Sequence, residues 1–155
     1  MLVQLNDNDR RHRATAIDLP LNPAATRTLS PVVALLGHPG RVSSLPAHLP
    51  AGWRVRRPRD LDDVNPDEIV LFSGATVADV MLARAVLPRR TRVVALVDQE
   101  APADLVAGVL TAGADVCVRG GHPAILASHL VACRRRQLAD RWVGLQSAAR
   151  AAGLT

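Results

Sequence analysis

The segment 92-RVVALVDQEAPADLVAGVLTAGADVCVRGG-121 decides the fold. Its first part, Val93 to Val97, is apolar at every position and stops at Asp98. A run of that length with β-branched residues is a strand buried on both faces, and such strands belong to parallel sheets. Residues 102–113 follow with a helical pattern, Pro102 near its start and Gly113 at its end. Proline at the beginning and glycine just past the last turn is the asymmetry expected of helix termini. Residues 115–118 return to a short apolar strand. Strand, helix and strand in this order make one crossover unit.

The same rhythm extends outward. Two more apolar runs, 32-VVALLG-37 and 69-IVLFSG-74, predict buried strands. The alternating 53-WRVRRP-58 predicts an edge strand, where Arg54, Arg56 and Arg57 discourage pairing with other molecules. Val42, Leu45 and Leu49 predict a short helix over 41–49, weakened by Pro46. The polar connection 59-RDLDDVNPDE-68 has room for one helical turn. Its Asp60, Asp62, Asp63, Asp67 and Glu68 read as a solvated acidic edge. Thr76 predicts the cap of a helix over 77–88, with Val77, Val80, Met81, Ala85 and Val86 or Leu87 facing inward. From His122 onward the pattern is helical to about Ala152. The fold class is therefore α/β, a five-stranded parallel sheet in a doubly wound, flavodoxin-like α/β/α sandwich with a long C-terminal helix. Residues 1–30 are polar and irregular and are expected to be a mobile tail. Residues 31–136 form the α/β domain, and 137–155 a helical extension.

Composition narrows the chemistry. Of the 155 residues 48% are hydrophobic but only 2% aromatic, so the core is built from Val, Leu and Ala. The net charge is +5, and all 19 basic residues are Arg. A mechanism that needs a lysine amine, the P-loop included, is excluded. Cys117 and Cys133 lack the spacing of a CxxC pair or a metal knuckle and read as buried thiols in a reducing compartment. The first 16 residues lack the apolar core of a signal peptide, and no run approaches the ~18 residues of a membrane span. The expectation is a cytoplasmic protein with no membrane partner, no metal and no cofactor.

Three segments carry a family resemblance. The stretches 66-PDEIVLF-72, 92-RVVALVDQEAPADLVAGVLTAGAD-115 and 122-HPAILASHLVACRRR-136 resemble parts of the receiver domain of bacterial response regulators. They correspond to the entry to its third strand, its fourth strand and helix with the entry to the fifth strand, and its fifth helix. The resemblance spans roughly residues 32–136, and 112-AGAD-115 is its most specific step. It implies phosphotransfer to an aspartate. That chemistry requires an acidic pair for Mg²⁺ after the first strand, a nucleophilic Asp at the end of the third, Ser or Thr after the fourth and Lys at the end of the fifth. Here those places hold Gly37, His38 and Pro39; Phe72 or Ser73; Val97 with Asp98 next; and Arg119 or Gly120. One carboxylate does not hold a reluctantly dehydrating Mg²⁺. The resemblance thus implies a degenerate receiver that is not phosphorylated on aspartate and has no catalytic residues.

In a doubly wound sheet, ligands bind at the carboxyl ends of the strands. Candidate anion-binding residues there are Ser73, Thr76, Asp98, Arg119 and Gly120. Arginine forks suit phosphate or carboxylate, and Thr76 offers a helix N-terminus. The turn 37-GHPG-40 lacks the spacing of a dinucleotide fingerprint, and His122 has no partner that would make it a catalyst. Beyond the domain, Val131, Leu138, Trp142 and Leu145 recur at spacings of seven, four and three, the seam of a short coiled coil, with Arg135 beside them. The expected partner is a protein, most simply a second copy in a homodimer. Two alternatives stand beside this. One is a DNA-associated regulator without a complete helix-turn-helix, since 147-SAARAAGLT-155 resembles only a first helix and turn. The other is a small nucleotide- or anion-binding Rossmann-like protein. For the first, the Arg groups at 54–59, 89–92 and 134–136 suit phosphate backbone contacts.

Overall fold

The computed structural model describes residues 30–153. Five strands form one parallel sheet: β1 (Val32–Gly37), β2 (Arg54–Arg56), β3 (Ile69–Ser73), β4 (Arg92–Val97) and β5 (Val116–Arg119). Their order is β2-β1-β3-β4-β5, with β1 bonded to both β2 and β3. This is the doubly wound, flavodoxin-like order. Four helices complete the sandwich: α1 (Leu45–His48), α2 (Val77–Val86), α3 (Ala103–Thr111) and α4 (Pro123–Ala151). No helix among the described residues is long and apolar enough to cross a membrane. The expected tail lies, except for Ser30, outside the described residues.

Alternation along the strands sends side chains into two cores. Val70, Phe72, Val93, Ala95 and Val97 pack under α2 and α3, with Val80, Ala83, Leu87 and Val109 from those helices. Ile69, Leu71, Val94, Leu96 and Val118 pack on the other side against Leu45 of α1 and Leu126, Leu130 and Cys133 of α4. Every residue of β3 is buried, as a central strand covered on both faces must be.

Two local readings are corrected. The inward stripe of α2 is Val77, Val80, Ala83 and Leu87, whereas Met81, Ala85 and Val86 face solvent. The reason is Arg84. It shares the inward-leaning side, and its guanidinium is spent on groups at the bottom of β4 and β5. Residues 57–68 contain no helix and are built of turns. Asp60 Oδ1 accepts from the Asp63 amide at 3.0 Å, and Asp63 Oδ2 accepts from the Arg59 amide at 3.1 Å. Such local acceptors favour turns over helix. Leu61 and Val64 still plug the α2 side of the sheet, so the connection does the covering work of a helix.

The acidic edge is solvated only in part: Asp60, Asp62 and Asp63 are exposed and Asp67 is half-buried, but Glu68 is not a solvated charge. Glu68 is buried and grips Arg56 of β2 with both oxygens, at 2.6 and 2.8 Å. The Asn65 amide and side chain donate to the same carboxylate. Burial pushes the Glu68 carboxyl up, but these donors outweigh it and hold its pKa below the ordinary range. The Asp63 carboxyl also lies low, chiefly through the Arg59 amide and then Arg56.

Candidate functional site

The crevice at the carboxyl ends of the strands is shaped by a close approach of two backbones. Gly37 ends β1 at φ +86°, and a Cβ there would sit 2.3 Å from the Ser73 carbonyl oxygen. That oxygen also accepts from the His38 amide at 3.0 Å. The chain then enters a 3-10 turn, Pro39–Val42, anchored by buried Val42. Arg41 is thereby carried over the sheet end, where its guanidinium meets Asp98 at 2.5 Å. Leu96, Val97, Asp98, Gln99, Gly120 and Gly121 complete a cleft of about 330 Å³ around Arg41.

The five candidate anion residues do not converge. Asp98 and Gly120 line the cleft. Ser73 closes β3, is fully enclosed, and its Oγ has no hydrogen-bond partner among the described residues. Thr76 is occupied in a capping box. Its Oγ1 accepts from the Asp79 amide, while Asp79 Oδ2 accepts from the Thr76 amide at 2.9 Å. The N-terminus of α2 is thus satisfied by its own carboxylate. Arg119 is exposed at the end of β5 and does not line the cleft. By alternation it shares the face of Cys117, which packs on the α2 and α3 side. The cation of the crevice is Arg41. The only sequence signal for it was its place one turn beyond the end of β1.

Chemically the cleft is sparse. Its one carboxylate is already paired with Arg41. Both partners are largely exposed, and such a pair contributes no more than about 1 kcal/mol. Among the described residues no group of three or more His, Cys, Asp or Glu is placed to hold a metal ion. Burial pushes the thiols of both Cys117 and Cys133 up, away from the reactive thiolate.

The opposite end of the sheet holds a tighter arrangement. Asp115 accepts from Arg84 and Arg92 at 2.7 Å each and from the Val93 amide at 2.8 Å. Arg84 also donates to the carbonyl oxygens of Gly113 and Thr91. A Cβ on Gly113 would lie 2.8 Å from Arg84 Cγ, so only glycine lets that side chain lie across the turn. The step 112-AGAD-115 is therefore a clamp joining α2, β4 and β5.

The expected interface residues lie on α4, which is ~44 Å long at 1.5 Å per residue. Its body-facing stripe is Leu126, Ala127, Leu130, Cys133 and Gln137, and among the described residues none after Gln137 is buried. Beyond it the inward positions are Asp140, Arg141 and Gly144, which with Leu138 and Leu145 line a groove rather than a core. The apolar residues have moved round. Val131 is half-buried, Arg135 is exposed, and Leu138, Trp142 and Leu145 are 41%, 67% and 58% exposed. At 3.6 residues per turn this stripe sits roughly 100° from the body-facing one. Trp142 does not fold back on the domain.

The fold and the crevice define a doubly wound parallel α/β protein. No protein-family model matches the chain, and no curated protein matches it.

Proposed function

We propose that this chain is a receiver-like regulatory module that works without phosphorylation, by binding a protein partner through α4, in the simplest case a second copy of itself. The observation that carries the reading is the stripe of Val131, Leu138, Trp142 and Leu145. It leaves the body-facing side just where the domain ends and exposes its largest side chains. In heptad terms Val131, Leu138 and Leu145 take one seam position, and Arg135 and Trp142 the other. An exposed Trp flanked by two Leu is the kind of anchor that dominates an interface.

The receiver-like part rests on the sequence resemblance together with a strand order that the receiver fold shares with flavodoxin. The phosphorylation-independent part rests on the crevice. Gly37 and His38 stand where an acidic pair is needed, Phe72 and Ser73 where a nucleophile is needed, and Asp98 is held by Arg41. Intact mass spectrometry after incubation with a small phosphodonor and Mg²⁺ tests this. The mass is expected to stay unmodified, and a stable phosphoryl adduct on an aspartate would contradict the reading.

A further inference from the structure

The amino-terminal edge of the sheet carries charge for which the proposed partner-binding role has no use. Two adjoining clefts open there. One, of about 440 Å³, is lined by Arg54, Arg90 and Arg134 together with Asn65 and Asp67. The other, of about 470 Å³, lies between the body and the departing α4; it shares Asp67, Arg90 and Arg134 and adds Arg141 together with Leu138 and Leu145 of the α4 stripe. Three arginine groups that are far apart in sequence thus each send a member to one surface.

Most of the acidic charge nearby is already neutralised. Glu68 is held by Arg56, and Asp140 by Arg92. Asp67 is left, with Arg141 3.9 Å away. Arg54 and Arg90 make no ion pair among the described residues. Among the described residues Arg134 donates only to neutral acceptors, the Asp67 carbonyl and Gln137 Oε1, so no carboxylate is paired with it. Guanidinium forks of this kind suit phosphate oxygens.

The spacing says what sort of anion fits. Arg54 begins β2 and Arg90 precedes β4, which are three strands apart in the sheet. That is ~14 Å at the usual strand spacing. Charges so separated match an anion repeated along a polymer better than a single phosphate. No aromatic side chain lines either cleft, so unpaired bases have nothing to stack on. We infer that this edge binds the phosphate backbone of duplex nucleic acid without reading its sequence, with Arg54, Arg90 and Arg134 as the contacts. None of the three belongs to the α4 stripe, although Leu138 and Leu145 of that stripe line the second cleft, so the two roles are told apart by variants that alter the arginines and leave the stripe intact.

The test is fluorescence anisotropy on random-sequence duplex DNA over a series of salt concentrations. The wild-type chain should bind at low salt with a steep salt dependence. The double variant Arg54→Gln/Arg90→Gln removes two side chains that make no ion pair among the described residues. It should weaken binding roughly tenfold or more and lower the salt slope by about 2, at about 0.9 per lost phosphate contact. A control, Arg57→Gln/Arg119→Gln, removes equal charge from the carboxyl ends of β2 and β5 and should leave the slope unchanged. The inference is overturned if the wild-type chain does not bind, if the control loses as much as the double variant, or if inorganic phosphate displaces the duplex beyond the effect of matched ionic strength.

Discussion

Arg84 and Asp115 stand 31 residues apart in the chain and meet at 2.7 Å, joining the last turn of α2 to the entry of β5. The same carboxylate holds Arg92 and caps the Val93 amide. Removing it leaves two part-buried guanidinium groups and one backbone donor without their acceptor. Asp115→Ala should therefore cost about 2–4 kcal/mol. For a domain of this size that is a fall in Tm of roughly 10 °C. A thermal melt within two or three degrees of wild type would show that the clamp is not a stabilising unit, on the same rough scale.

Gly37 makes a second, sharper prediction. Its left-handed φ and the 2.3 Å approach to the Ser73 carbonyl act together. Gly37→Ala must either break the turn or part β1 from β3 at the crevice, at a cost of roughly 3 kcal/mol. Urea unfolding would measure it. An unchanged midpoint would mean that the two strand ends are not held as described.

The Arg56–Glu68 pair predicts an acid limb of stability. The folded-state pKa of Glu68 lies below its unfolded value. Its contribution is therefore fully present above the unfolded value, about 4.3 for a glutamate, and is lost as pH falls through the lower folded value. Asp63 acts in the same direction. The urea midpoint should stay level from neutral pH down to about pH 5 and then fall. Glu68→Gln should be less stable than wild type at neutral pH and should show a shallower acid limb. Parallel curves for the two proteins would rule out Glu68 as the source.

The sheet was legible because its strands are apolar at nearly every position, and only a parallel sheet buried on both faces accommodates that. Val33, Ala34, Val70, Leu71, Val94 and Ala95 all have no exposed surface. The helical face of α2 was harder. An arginine reads as solvent-facing, yet Arg84 leans inward, because its partners come from residues 91, 113 and 115. Periodicity within one helix carries no information about such distant acceptors. Glu68 was misread for the same reason, since its partner lies on another strand. Arg119 was assigned to the crevice because it ends a strand. Which face a strand-end side chain takes depends on alternation and register, and a single step reverses it. That reversal leaves the crevice to Arg41, delivered by a turn whose path no periodic pattern describes.

The α4 stripe supplies the most direct test of the account. Multi-angle light scattering at tens of micromolar, on the wild-type chain and on Leu138→Ala/Trp142→Ala, separates the outcomes. These side chains are exposed in the single chain, so the variant should melt at nearly the wild-type temperature. Leu130→Ala, by contrast, removes a fully buried side chain and should cost about 2–5 kcal/mol. The account predicts a wild-type mass of twice the 16.5 kDa chain, with or without a phosphodonor, falling to the single-chain mass in the double variant. A wild-type chain that stays monomeric at that concentration and is unaffected by the substitutions would contradict it.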